Sequence, residues 1–299
     1  MKQKNELTLY LVLTFGLAWL LQVVACVSLW QGNAALFQPV LAVSMFCPLV
    51  AVLAVTRLLG HRPTGVRWRP QFRGRLGFWL AAWMGPMVLT LLGGALYYAI
   101  FPARLDLDGS YLLAAMGGEW TLDALKTELG ITPVSYLIIG IVQAVSYAPP
   151  INMLFAVGEE AGWRGFMMPC LKERFGLWKG RLLGAAIWAA WHWPVILLAG
   201  YEYGTNYLGA PLSGLVVWFV VCFALGSLLD WLYDAAGSIW APALAHGAFN
   251  AAAALPVLVS RPEDAYYSVL GPMPVGLIAI LPTLALAIWL TVRQAKQEK

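Results

Sequence analysis

The chain has 299 residues, of which 61% are hydrophobic and 11% charged, against roughly 45–50% and 25% in soluble domains. That balance excludes a soluble globular enzyme and predicts an all-α, polytopic integral membrane protein. A net charge of +4 is too small to argue for a nucleic-acid partner, and the four cysteines (Cys26, Cys47, Cys170 and Cys222) lie in or beside apolar segments without metal-type spacing, as small core residues do.

A crossing helix needs about 20 predominantly apolar residues. On that criterion the chain offers spans near 7–30, 36–59, 76–101, 134–158 with a continuation past 170, 181–200, 211–233, 238–259 and 272–292. About eight transmembrane helices are therefore expected, in a single membrane domain over 1–299. The first apolar run is too long for a signal-peptide core and has no cleavage site behind it, so it is expected to remain as the first span.

Positively charged residues collect on the cytoplasmic side. With the N-terminus inside, Lys2, Lys4, Arg57, Arg62, Arg67, Arg69, Arg73, Arg75, Lys172, Arg174, Lys179, Arg181, Arg293, Lys296 and Lys299 are inside, and Arg104, Lys126 and Arg261 outside. Both termini are expected in the cytoplasm, most simply of a cell's inner membrane. Residues 102–131, with Asp106, Asp108, Glu119, Asp123 and Glu128, read as an outer polar excursion carrying a short amphipathic helix. Residues 133–172 are too long for one straight crossing, and Pro149-Pro150 should break them; one crossing preceded by an interfacial or re-entrant piece is expected. Trp19, Trp30, Trp68, Trp178, Tyr201, Tyr203 and Trp289 read as an interfacial aromatic belt, and the pairs Gly93/Gly94 and Gly180/Gly184 as sites of close helix packing within the chain.

The chain is organised around Gly158-Glu159-Glu160-Ala161-Gly162-Trp163-Arg164, three ionisable groups in an apolar setting. Each costs roughly 2.5–3.5 kcal/mol in a bilayer centre, so they must be paired, hydrated or catalytic. Glu160 and Arg164 are four apart and share a helix face, whereas Glu159 lies about 100° round the helix; one carboxylate is neutralised and the other left free. Of the three histidines, His61 is a loop residue without an expected role. His192, in Trp188-Ala189-Ala190-Trp191-His192, and His246, in His246-Gly247-Ala248-Phe249-Asn250, fall inside spans. The i,i+4 spacing puts Trp188 with His192, and His246 with Asn250, on common faces, either as interhelical hydrogen-bond partners or as parts of one polar cavity.

Such a set suits amide hydrolysis, which needs a base for water and donors for the oxyanion. Glu159 can serve as the base, His192 can hold the same water or carry its proton, and His246 and Asn250 can donate to the oxyanion. Glu160 with Arg164 would support the turn. Glu159, His192 and His246 also supply the three ligands that a catalytic zinc requires, so residue types alone leave metal-activated and glutamate-activated water both open.

Together, Glu159-Glu160-x-x-x-Arg164, Trp188-x-x-x-His192 and His246-x-x-x-Asn250 resemble the EExxxR, FxxxH and HxxxN motifs of the CPBP (Abi) intramembrane proteases, which include the Ras-converting CAAX prenyl endopeptidases. Order, spacing and placement on three spans match, within residues 158–250. The resemblance implies an eight-helix bundle with its site in a cavity facing the cytoplasm, Glu159 as catalytic glutamate, His192 as its partner on the water, and His246 and Asn250 on the oxyanion side. It also implies a peptide or membrane-anchored, including prenylated, protein substrate met in membrane lipid. Trp188 departs from the family's Phe, a packing position that would alter the shape of the pocket. Two rivals remain at this stage: a transporter or proton relay, since ionisable groups in spans also mark ion paths, and a non-catalytic immunity or scaffold protein of the same fold.

Overall fold

A computed structural model describes residues 2–60, 66–117 and 120–297; His61, Arg62, Glu119 and Lys299 lie outside them. Among the described residues the regular secondary structure is helical, apart from one isolated bridge between Leu105 and Ser260.

Helix α1 (Lys2–Trp30) leads through a tight turn at Gly32 into α2 (Phe37–Ser44) and α3 (Cys47–Leu59), and α4 (Leu76–Ile100) follows the basic loop. The polar excursion folds as α5 (Ser110–Ala115) and α6 (Leu122–Leu129). Thr121 caps α6 by accepting from Ala124 N–H at 3.2 Å. Stacking of the Arg104 guanidinium 3.4 Å over the Tyr267 ring ties this segment to the chain after Ser260.

The 133–172 stretch divides as its prolines require. Helix α7 (Pro133–Val145) stops, and α8 (Ala148–Gly162) restarts with Pro149 and Pro150 in its first turn, where a missing N–H costs nothing. A π-helical turn, Trp163–Met167, continues α8 into α9 (Met168–Trp191). Helix α9 folds back on itself at Gly176, whose φ of +76° favours glycine. Gly180 lets the two legs touch, since a Cβ there would sit 3.1 Å from the Lys172 backbone. Then come α10 (Trp193–Ala199), α11 (Leu212–Ala236), α12 (Trp240–Ala252) and α13 (Leu281–Gln297).

Among the described residues five helical segments are long and apolar enough to cross a membrane, and seven if each of two bent pairs counts as one span. The last expected span, 272–292, begins instead with turns over 271–280, rich in Gly and Pro, before the 17-residue α13. The molecule is an integral membrane protein, and one core cluster runs from Tyr10 on α1 to Leu290 on α13.

The charges sort the two ends of the bundle. At one end, Arg75 Nη1 donates to the Ala235 carbonyl at 2.9 Å, and Lys172 and Arg181 reach Asp230 near the end of α11. The far end of α13 joins them there, where Arg181 meets Thr291 and Gln294. At the other end, Trp30 at the close of α1 donates to the Leu198 carbonyl at the close of α10, and Arg104 stacks on Tyr267.

A candidate active site in a polar cavity

Helices α8, α9 and α12 carry the three motifs, and glycine lets α8 and α12 approach closely. A Cβ at Gly247 would lie 2.6 Å from Met153 N and from the Pro149 carbonyl oxygen, and one at Gly158 would lie 2.7 Å from the Met45 carbonyl. A larger residue at either position forces backbones apart.

Glu159 is 2% exposed, yet it lines a cavity of about 670 Å3. Its Oε2 accepts two indole hydrogen bonds, from Trp188 Nε1 at 2.7 Å and Trp163 Nε1 at 3.0 Å. Among the described residues Oε1 has no protein partner. One oxygen is thus fixed and the other is free toward the cavity. Trp163 was invisible to the motif reading, although its i+4 spacing from Glu159 matches that of Arg164 from Glu160. Trp188 does more than the packing expected of it, because a phenylalanine has no N–H to give Glu159. Its ring also stacks under the Arg164 guanidinium at 4.3 Å.

Glu160 lies behind the cavity wall, fully buried. Its Oε1 pairs with Arg164 Nη1 at 2.9 Å, as the spacing demands, and also meets His246 Nδ1 at 2.8 Å. The carboxylate therefore links the α8 turn to α12 as well as neutralising Arg164. A carboxylate accepts, so His246 Nδ1 carries the hydrogen and Nε2 is the atom left for the cavity. His192 is oriented in the same way: its Nδ1 lies 2.9 Å from the Trp188 carbonyl, which can only accept, so Nε2 keeps its lone pair. The ring sits edge-on between Trp191 and Trp218, with centroids 4.6 and 4.9 Å away.

The cavity gathers Glu159, Trp188, His192, His246 and Asn250 on one wall, with Asn152, Gln22 and Gln38 among its further polar groups; Glu160 and Arg164 are not part of its lining. The three expected zinc ligands do not converge: among the described residues no three His, Cys, Asp or Glu side chains come close enough to hold a metal. Glu159 Oε2 is turned to two indoles and the two Nδ1 atoms to Glu160 and the Trp188 carbonyl, which leaves Glu159 Oε1 and the Nε2 atoms of His192 and His246 without protein partners among the described residues.

A second carboxylate in the lining had no signal beyond a lone acid between two aromatics. Glu202, in the loop after α10, adopts a left-handed backbone (φ 70°), rare for a residue with a side chain. Burial pushes its pKa up to about 7, against a smaller opposing effect from the Tyr201 hydroxyl.

The cavity lining also takes in Gln38 and Pro39 at the start of α2, Tyr201 and Glu202 after α10, Ala253 and Ala254 after α12, and Met273 and Val275 before α13.

The fold and the site together define a polytopic helical membrane protein with a carboxylate and two histidines in an intramembrane cavity. A family model for type II CAAX prenyl endopeptidase Rce1-like proteins matches residues 141–252, a segment holding all three motifs. A stretch of 78 residues is 32% identical to CAAX prenyl protease 2 of Methanococcus maripaludis, covering 22% of this chain and 29% of that protein. The resemblance read from the motifs is borne out by both matches, and it rests on this central segment.

Proposed function

We propose that the protein is an intramembrane endopeptidase that hydrolyses a peptide bond in a membrane-associated polypeptide, with water activated by Glu159 and His192. The observation that carries this reading is the Glu159 carboxylate, held by two indole N–H donors at one oxygen and free at the other, in a cavity shared with His192, His246 and Asn250.

In this reading water binds between Glu159 Oε1 and His192 Nε2, both of which accept. As its oxygen attacks the peptide carbonyl, its proton passes to one of these two acceptors. The oxyanion is met by the Asn250 amide and by His246 Nε2–H, which exists when the ring holds both protons opposite Glu160. The intermediate then breaks its C–N bond, and the leaving amine takes the proton that water gave up. Glu160 and Arg164 hold the wall, and Trp163 and Trp188 hold the base. A lipid-modified substrate is one class such a cavity can admit, because much of its lining is apolar.

The test is cleavage of a fluorogenic peptide library by purified, reconstituted protein. Glu159→Gln and His192→Ala should each lower turnover by about 10²–10⁴, the range of a general base, with thermal unfolding unchanged. Cleavage at the parent rate by either variant overturns the proposal. Metal analysis and a chelator arm belong to the same assay: stoichiometric zinc with chelator-sensitive cleavage would replace the glutamate-activated water by a metal-activated one.

A further inference from the structure

The cavity that holds Glu159 is acidic, and nothing on its walls answers that charge. Among the described residues its lining includes two carboxylates, Glu159 and Glu202, and no lysine or arginine. Arg164 lies behind the wall, paired with Glu160. Glu159 is accounted for by two indole donors and by the water it activates in the endopeptidase reading. Glu202 has no such account. Among the described residues it forms no ion pair, and its polar neighbour is the Tyr201 hydroxyl.

Two sets of contacts hold Glu202 beside the reacting groups. The turn after α10 closes on itself, with Gly204 N–H donating to the Gly200 carbonyl at 2.7 Å. Tyr201 N–H returns to the Val195 carbonyl at 3.1 Å, the Tyr203 hydroxyl donates to the Val275 carbonyl at 2.8 Å, and the Tyr203 carbonyl accepts from the Ser268 hydroxyl at 2.8 Å. Between these anchors Glu202 keeps its left-handed backbone, which a glycine would adopt with less strain. What glycine lacks is the carboxylate. The second set is a ladder of rings: Trp218 meets the Tyr203 ring at 6.4 Å and the His192 ring at 4.9 Å. The residue next to Glu202 is therefore one indole away from the histidine that shares the water.

A spare acceptor on another helix points the same way. Gln22 on α1 is 1% exposed and lines the cavity, and its Oε1 has no partner among the described residues. It lies one turn before Cys26, whose thiol meets the Pro194 carbonyl, so it stands level with the junction of α9 and α10 that carries His192.

We propose that Glu202 determines specificity by receiving a lysine or arginine side chain of the bound polypeptide close to the bond that is cleaved, with Gln22 Oε1 as a further acceptor. Lysine and arginine bring donors and no acceptors, the complement of a carboxylate and an amide oxygen that lack donors. Burial raises the pKa of Glu202, and a cation beside it acts in the opposite direction and favours the charged form. That the bound polypeptide is a substrate rests on the endopeptidase reading; the preference for a cation does not.

The experiment uses a positional-scanning library of short fluorogenic peptides, with lysine, arginine, norleucine, glutamine or glutamate fixed at each position in turn. Cleavage is measured with purified, reconstituted parent, and retention of the same pools with Glu159→Gln, which binds without needing to cleave. At one position near the cleaved bond the lysine and arginine pools should exceed the norleucine pool by about 10- to 100-fold in kcat/KM, the range of a hydrogen bond to a charged group, with KM carrying most of the ratio. Glu159→Gln should retain the same pools preferentially. In Glu202→Gln the ratio should fall toward one, and in Glu202→Lys the preference should move to the glutamate pool. No preference for a cation at any position, a preference that survives Glu202→Gln, or failure of Glu159→Gln to retain any pool overturns the proposal. A parent that cleaves nothing while the retained pools still favour lysine and arginine sinks the protease reading and leaves the cation subsite standing.

Discussion

Two clusters of buried charge lie in this bundle, and they are built to opposite specifications. Around Asp230, every strong group is matched: Lys172 and Arg181 take its two oxygens, Asp234 takes Lys172 again at 2.8 Å, and Arg181 spends its other donors on Thr291 and Gln294. Around Glu159, valences are left over: one carboxylate oxygen and two imidazole nitrogens face a cavity, and Glu160 Oε2 and Arg164 Nε are buried without partners. A saturated network fixes helices to one another. An unsaturated one beside a cavity has capacity to bind something that the chain does not itself provide.

The largest effect that tests this contrast is expected at the saturated cluster. Asp230→Ala leaves Lys172 and Arg181 as buried charges without a counter-ion, which should cost about 3–5 kcal/mol of stability. A thermal unfolding midpoint that drops steeply, with catalysis lost in proportion to unfolded protein, is the expected outcome. Replacing Lys172, Asp230 and Arg181 together by Met, Leu and Met should recover most of that loss. If Asp230→Ala instead abolished cleavage at full stability, the two clusters would not differ in kind.

Sequence reading found one of these clusters and missed the other for a physical reason. Glu159, Glu160 and Arg164 lie within six residues, so local spacing showed that pairing or function was required. Asp230 is a lone acid near the end of an apolar run, and its partners lie 58 and 49 residues away in what read as a basic loop. Local patterning could not bring Lys172 and Arg181 to it; the fold-back at Gly176 does. The membrane class, the break at Pro149-Pro150 and the three motifs were legible because each is a one-dimensional signal. The full lining of the cavity was not, because it draws side chains from seven helices that lie far apart in the chain.

An intermediate effect is expected at Trp188, which separates packing from hydrogen bonding in the unsaturated cluster. Trp188→Phe keeps an aromatic ring under Arg164 but removes the 2.7 Å donor to Glu159. A hydrogen bond to a charged group contributes about 1.5–3 kcal/mol, and Trp163 still holds the same oxygen. Turnover should fall by about tenfold, with KM and the unfolding midpoint nearly unchanged, in steady-state cleavage and unfolding measured on the same preparation. A change in KM alone would make Trp188 a wall of the substrate pocket and remove it from the support of the base.

The smallest effect is expected at Glu202, a carboxylate that neither cluster satisfies. Burial holds its folded pKa at about 7 against an ordinary value of 4.5. Between those values the folded protein keeps a proton that the unfolded chain releases, so this group's contribution to stability is fully present below pH 4.5 and is lost as pH rises through about 7. Gln is the neutral isostere and carries no such dependence. Glu202→Gln should therefore match the parent in unfolding midpoint at pH 4.5 and exceed it at pH 8. Since the side chain borders a cavity that water can enter, the gain should be modest, about 1 kcal/mol or roughly 2–4 °C. Equal midpoints at both pH values would mean that Glu202 is hydrated as an ordinary surface acid.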